Sequence, residues 1–135
     1  MADDPPLQST VFVALGGALG TLLRHLLNVV AFVPAVPIAT AIENITGAFA
    51  LGITAGLLAT ARSAPDWVRT GVGVGFCGGY TTMSTFAADS FVVYLHQSPG
   101  WAAVYAGCSV LFGVISAGFG LRLGRSLGES VGGKT

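Results

Sequence analysis

Four long apolar segments, separated only by short turns, constrain this chain more than any other feature of its sequence. They cover about residues 10–33, 38–61, 67–95 and 101–124. Each segment has the roughly 20 residues that a helix needs to cross a bilayer. Four of them in succession predict an all-α integral membrane protein, with four transmembrane helices in a single domain over residues 1–135.

The sparse charge excludes several classes of protein. Hydrophobic residues make up 53% of the chain and charged residues only 9%, whereas a soluble domain carries about 25% charged residues. The six Lys and Arg are balanced by six Asp and Glu, which leaves no basic surface for nucleic acid. The two cysteines lie apart in apolar runs, and no nucleophile stands beside a base. We therefore expect neither an enzyme nor a nucleic-acid-binding protein.

Small residues recur in the apolar segments at the spacing of helix contacts. The pairs lie four residues apart, at Gly16 and Gly20, Gly52 and Gly56, and Gly120 and Gly124. Such pairs allow helix backbones to approach closely in lipid. Because four short helices form only a thin bundle, we also expect an oligomer.

The basic residues predict the orientation of the chain in its membrane. Five of the six follow the second segment or end the fourth: Arg62, Arg69, Arg122, Arg125 and Lys134. The two turns on the opposite side carry none. Since Lys and Arg accumulate in cytoplasmic loops, we expect both termini to lie in the cytoplasm.

The middle of the third segment is a poor sequence for a continuous helix. Residues 75–86 combine two adjacent glycines with four Ser and Thr residues, and both types disfavour a helix interior. A break near Gly78–Thr82 would shorten a segment that is longer than a bilayer requires. Carbonyl oxygens exposed at such a break would suit a hard cation. The alternative is a kinked helix that serves packing.

Other polar residues lie inside the segments, where they are costly and therefore candidates for function. Asn44 offers two amide donors, or alternatively a hydrogen bond between helices. Tyr105, Ser109 and Ser116 share one helical face and could line a polar track. The alternative is that their hydroxyls bind carbonyls of their own helix.

Charged residues occur at one level of the predicted bundle. If the first two helices fold back at their proline-rich turn, Arg24 comes within reach of Glu43, and Asp89 lies at a similar level. We hypothesise a charge-balancing cluster with an Arg24–Glu43 pair. Alternatively, Glu43 extends alone to the membrane interface.

Together these motifs resemble the small fluoride channel family known as Fluc or CrcB. Gly16–His25 is similar to the family's first-helix signature GGxxGxxxR[Y/W], and Thr40–Phe49 to its block TxxxNxxGxF. Gly75–Phe86 is similar to the specific block GFxGGxTTFSTF. The stripe at Tyr105 and the final glycine of the fourth segment resemble the family's fourth helix.

The resemblance implies a channel with two pores, built from two subunits inserted antiparallel in the cell membrane, that exports fluoride passively. It implies a structural Na⁺ at the dimer centre, bound by the backbone carbonyls of Gly78 and Thr81, and a vestibule at Arg24. Asn44 would donate to fluoride, and Phe86 would turn a ring edge toward it. The implied pore residues are Asn44, Phe86, Met83, Ser84, Thr85, Tyr105 and Ser109.

Departures from the family pattern leave alternatives open. Met83 stands where the family has its first pore phenylalanine, and Glu43 replaces an apolar residue. These changes and the one-sided basic charge suggest either a homodimer or one half of an antiparallel heterodimer with a paralogue, including a half that does not conduct. A different class, a proton-coupled small multidrug exporter, would use Glu43 or Asp89 to carry protons.

Overall fold

The structure is a computed structural model that describes residues 6–31, 37–60, 65 and 67–132. Three features of the sequence analysis lie outside these residues, namely Arg62, Lys134 and most of the proline-rich turn after the first segment. The expectations attached to them stay predictions.

Helices make up nearly all of the described chain, and its described residues include no strand. In order, the elements are α1 (Pro6–Val30), α2 (Ile38–Thr60), a π-helical segment (Val68–Phe76), α3 (Cys77–Tyr80), α4 (Met83–His96) and α5 (Pro99–Gly132). The helices α1, α2 and α5 each contain a stretch long and apolar enough to cross a membrane. The predicted all-α membrane protein is thus confirmed, while the predicted segment 67–95 is built from three shorter pieces.

Polarity in the fold is the reverse of that in a soluble domain. Among the few buried side chains are Thr40, Glu43 and Thr82, whereas large apolar side chains such as Val30 and Phe119 are exposed. Soluble proteins bury most of their large apolar side chains and rarely bury a Glu. This arrangement suits hydrocarbon outside the protein and polar contacts inside it.

The helix α1 packs closely along the π-helical segment and α3. A Cβ atom built on Gly16 would collide with the carbonyl of Gly71, and one on Gly20 with the carbonyl of Phe76. Both contacts advance together along the two elements, so the elements run parallel. The close approach that the glycine spacing predicts is therefore confirmed within the chain.

A second parallel pair is formed by α2 and α5. A Cβ atom on Gly52 would meet the carbonyl of Ala117, and one on Gly120 the carbonyl of Phe49. Further along, the Thr60 hydroxyl donates to the Arg125 carbonyl at 3.5 Å. These backbone contacts fix the register of α5 against α2.

One polar contact joins the two pairs and another holds α5 on α2, and both position the candidate site. The hydroxyls of Thr46 in α2 and Tyr80 in α3 lie 3.0 Å apart. The Ser116 hydroxyl of α5 donates to the Ile45 carbonyl of α2 at 2.9 Å, rather than to a carbonyl of its own helix. The level of Asn44 is thus tied to both α3 and α5.

Candidate functional site

The third segment leaves helical geometry at two residues, Thr81 and Thr82. Their backbones are extended, with φ −84° and ψ 158° at Thr81 and φ −149° and ψ 125° at Thr82. The N–H of Thr82 donates to Asn44 Oδ1 at 2.8 Å, and Asn44 Nδ2 donates to the Thr82 carbonyl at 3.0 Å. Asn44 therefore supplies both hydrogen bonds that the extended backbone needs. One amide hydrogen of Asn44 remains for another acceptor.

The carbonyls of Gly78 and Thr81 are released by this geometry. In a continuing helix the Thr82 N–H would bind the Gly78 carbonyl, but here it donates to Asn44. The extended ψ of Thr81 turns its own carbonyl out of the helical direction. Gly78 is exposed, and a Cβ atom there would meet nothing within 4 Å. Two freed carbonyl oxygens beside open space fit the donor type that a hard cation takes.

No cluster of acidic, His or Cys side chains that could bind a metal occurs among the described residues. A cation at this level would use oxygens of another kind, such as the backbone carbonyls of Gly78 and Thr81. Two carbonyls are only part of the coordination shell that a hard cation takes.

Thr82 is both the last residue of the extended stretch and the N-cap of α4. Its hydroxyl oxygen accepts the Thr85 backbone N–H at 3.2 Å, which is the usual capping contact of a helix N-terminus. The Thr82 hydroxyl also donates to the Thr85 hydroxyl at 3.0 Å and lies 3.3 Å from that of Ser84. These hydroxyls are thus engaged in starting the helix.

A groove of about 420 Å³ lies beside this extended stretch, and we call it the Asn44 groove. It is lined by Asn44, Ala48, Thr81, Thr82, Met83, Phe86, Ser109, Val110, Gly113, Val114 and Ala117. Four predicted pore residues, Asn44, Met83, Phe86 and Ser109, are therefore brought together. Met83 is 76% exposed at its edge, whereas Ser109 is buried.

A second groove, the Tyr105 groove, has a volume of about 390 Å³. It is lined by Pro37, Ala41, Ile45, Val93, Gln97, Trp101, Val104, Tyr105, Cys108, Ser109 and Phe112. Ser109 borders both grooves. Between them, the rings of Phe86 and Tyr105 lie 5.7 Å apart at an angle of 33°. The Tyr105 hydroxyl is buried, and the Ser109 side chain is the hydrogen-bonding group beside it.

A third groove, the Arg24 groove, has a volume of about 310 Å³ and a more polar lining. Its residues are Thr21, Arg24, His25, Asn28 and Thr85. Arg24 and His25 make it the groove most suited to an anion. Thr85, which the resemblance places in the pore, lies here with Arg24, while Ser84 is exposed and borders none of the three grooves.

A buried acid lies behind the Arg24 groove. Glu43 is 0% exposed, and its Oε1 accepts a hydrogen bond from Asn28 Nδ2. Its Oε2 has no partner. The hydrogen-bond partner of Glu43 is therefore Asn28, in place of the hypothesised Arg24. The Asn28 amide also donates to the Arg24 carbonyl at 2.9 Å.

Sequence reasoning missed Asn28 because it considered only charged partners for Glu43. The available signal was its position four residues after Arg24, which puts both side chains on one helical face. Asp89 has a different partner, since it accepts the Thr40 hydroxyl at 2.6 Å. The acids of α2 and α4 thus lie near each other but are held by separate donors.

Apolar outer surfaces on long helices, polar groups inside, and two grooves that share Ser109 are typical of a helical membrane protein. A model of the CrcB-like family, described as CrcB-like protein and camphor resistance (CrcB), matches residues 11–121. The chain belongs to this family.

Curated relatives cover most of the chain. A fluoride-specific ion channel FluC 2 of Halalkalibacterium halodurans is 41% identical over 109 residues, which are 80% of this chain and 79% of the relative. The protein of the same name in Bacillus subtilis is 39% identical over 90% of this chain and 89% of its own. Fluoride-specific ion channel FluC 1 of Staphylococcus aureus is 35% identical over 87% of this chain and 97% of its own.

Proposed function

We propose that this chain forms a fluoride-selective channel that lets fluoride leave the cytoplasm passively across the plasma membrane. Membership in the CrcB-like family and the names of its relatives support the substrate. The observation that carries the mechanism is the pair of hydrogen bonds between the Asn44 amide and the Thr82 backbone. These bonds hold a polar amide in the same groove as the Phe86 ring.

Neutral donors are well suited to this ion. Fluoride is small and strongly hydrated, so donors must replace its water at short range. The remaining Asn44 N–H, the Tyr105 hydroxyl and the positive ring edge of Phe86 offer that replacement. A full positive charge at a constriction would trap the anion, whereas conduction needs several weak sites. Ser109, which borders both grooves, continues the line of donors.

An antiparallel dimer would complete the site. The open side of Gly78 and the exposed edge of Met83 give a second subunit space to approach. In that dimer the carbonyls of Gly78 and Thr81 from each subunit would hold a structural Na⁺. The bound ion would supply a fixed positive charge that reduces the cost of bringing an anion into a low dielectric.

Two features of this chain support a particular kind of second subunit. Met83 lacks the ring that the family pattern has at this position, and a thioether is a softer, poorer partner for an anion. The basic residues favour one orientation, whereas an antiparallel homodimer needs both. These features favour an antiparallel heterodimer with a paralogue over a homodimer.

The test is fluoride efflux from liposomes that contain the purified chain, followed with a fluoride electrode. We expect efflux of fluoride without comparable efflux of chloride, either from the chain alone or after co-expression with a paralogue. Efflux from the chain alone would identify a conducting homodimer. Efflux that stops when the proton gradient is removed would identify a proton-coupled exporter instead, and no fluoride efflux in either preparation would contradict the proposal.

A further inference from the structure

Glu43 is the one fully buried carboxylate in the described chain, and the proposed pathway does not use it. Asn28 satisfies Oε1, while Oε2 has no hydrogen-bond partner. A carboxylate leaves water at a high cost unless its oxygens are paired. Oε2 can therefore take up a proton without breaking an existing hydrogen bond.

The position of Glu43 relates it to the entry of anions. Asn28 lines the Arg24 groove and holds Glu43 directly behind that wall. Arg24 is the cation whose charge acts on Glu43, and Asp89 is the acid that acts on it in the opposite sense. A negative charge on Glu43 would thus offset the field that Arg24 provides to an anion in the groove.

The groups that face Glu43 come from three other helices. Arg24 and Asn28 belong to α1, Asp89 to α4 and Tyr105 to α5. Asp89 accepts the Thr40 hydroxyl, so its charge has a donor of its own. Because Asn28 is neutral, Glu43 and Arg24 are the pair of opposite charges nearest to the groove.

We propose that Glu43 is an electrostatic brake on fluoride entry, released when Oε2 takes up a proton. The inference rests on the proposed fluoride channel and assigns a regulation to its Arg24 groove. With Glu43 charged, the carboxylate and Arg24 cancel, and fewer anions occupy the groove. With Glu43 protonated, the Arg24 field acts unopposed and fluoride flux rises.

The first test compares the wild type with Glu43→Gln in liposomes at equal pH on both sides, over a range from acid to alkaline. Gln keeps a carbonyl oxygen for Asn28 and removes the charge. We expect wild-type flux to fall as the pH rises, and Glu43→Gln flux to stay at the acid level. At alkaline pH the variant should exceed the wild type by about three- to tenfold. Protein-free liposomes at each pH supply the background.

Two further variants separate Glu43 from other charges. Glu129→Gln removes an exposed acid near the end of α5 and should keep the wild-type pH profile. His25 also lines the Arg24 groove, so His25→Gln tests whether that residue, and not Glu43, carries the pH dependence. A profile that vanishes in His25→Gln but persists in Glu43→Gln would overturn the proposal, as would wild-type flux independent of pH. Glu43→Asp keeps a carboxyl group at this position, so its flux should depend on pH as that of the wild type does.

A measurement that does not depend on transport distinguishes failure of the brake from failure of the channel. Infrared difference spectra between acid and alkaline pH should show the carbonyl stretch of a protonated carboxyl group that disappears in Glu43→Gln. If that band is the same in both proteins, Glu43 does not exchange the proton and the brake is wrong, whether or not the chain conducts fluoride. A band lost in the variant, with no fluoride flux from the chain alone or after co-expression with a paralogue, would leave the proton site standing and reject the channel.

Discussion

Asn44 has two roles that a single substitution can test. It holds the extended backbone at Thr82 through both amide atoms, and its remaining N–H is the donor proposed for fluoride. Asn44→Asp keeps the acceptor for the Thr82 N–H but puts a carboxylate oxygen against the Thr82 carbonyl. It also places a negative charge in the Asn44 groove, without any cation among that groove's residues.

We expect Asn44→Asp to lower fluoride efflux by at least about tenfold, since a like charge at close range costs more than 1.4 kcal/mol outside bulk water. The loss of the Thr82 contact should also lower the melting temperature in detergent. Liposome efflux and thermal unfolding measure the two effects separately. Efflux equal to that of the wild type would remove Asn44 from the pathway.

Met83 provides a test that predicts a gain. It lines the Asn44 groove, yet 76% of its surface is exposed, so a larger side chain enters without displacing the interior. Met83→Phe adds a ring edge beside the pathway. We expect efflux to rise about two- to tenfold, which corresponds to the 0.5–1.5 kcal/mol that an aromatic contact adds.

Met83→Leu is the matched control, because it keeps an apolar side chain of similar size without a ring. Its efflux should equal that of the wild type. If Leu raises the flux as much as Phe does, the effect comes from size or packing, and the role of a ring edge is wrong.

Sequence reasoning identified the polar residue types of the site better than their partners. Asn44 and Ser109 stand out because polar residues are unusual in apolar segments, whereas Phe86 was implied only by the family resemblance. All three share a groove. Thr85 shares a motif with Phe86 but borders the Arg24 groove instead. Which groove a residue meets depends on the register between helices, and this register follows from backbone contacts that residue types do not specify.

The helix boundaries were also predicted only in part from the sequence. The predicted fourth segment ends at 124 because basic residues follow, yet α5 continues to Gly132. A change of polarity marks the edge of an apolar stretch, but Arg, Leu and Glu are all compatible with a helix. The π-helical segment was not anticipated either. The Cys77 N–H bonds to the Val72 carbonyl, five residues back, and this rare winding has no clear sequence signature.

Glycines of α5 make a matched pair for testing the packing of α5 on α2. A Cβ atom on Gly120 would collide with the Phe49 backbone, whereas one on Gly118 would meet nothing within 4 Å. Alanine favours a helix over glycine by about 1 kcal/mol at either position. We expect Gly118→Ala to preserve or raise the melting temperature and Gly120→Ala to lower it, because α2 and α5 must separate.

Thermal unfolding of both variants in the same detergent measures this difference. A fold in which α5 packs loosely on α2 would give the two variants the same stability, and that result would contradict the close packing. Fluoride efflux should follow the same order, since Ser109 and Tyr105 are positioned by α5.

At the scale of the whole molecule, one side holds the start of α1, the end of α2, the start of the π-helical segment and the end of α5. Because α1 runs parallel to the π-helical segment, Pro6 and Val68 lie at the same end of their pair. Because α2 runs parallel to α5, Thr60 and Arg125 share an end as well. Only residues 61–67 separate Thr60 from Val68 along the chain. The two helix pairs therefore have these ends on the same side. The exposed Arg69, Arg122 and Arg125 therefore gather on a single side.

This clustering of basic charge predicts one orientation in the cell, with both termini in the cytoplasm. A C-terminal fusion to a reporter active only in the cytoplasm should give a strong signal, and a fusion to one active only outside it should give almost none. Changing Arg69, Arg122 and Arg125 together to Gln should move signal to the second reporter, because the remaining charges bias insertion weakly. Equal signals from the two wild-type fusions would show that the chain inserts both ways. An antiparallel homodimer would then need no second gene product, and the argument for a paralogous partner would rest on Met83 alone.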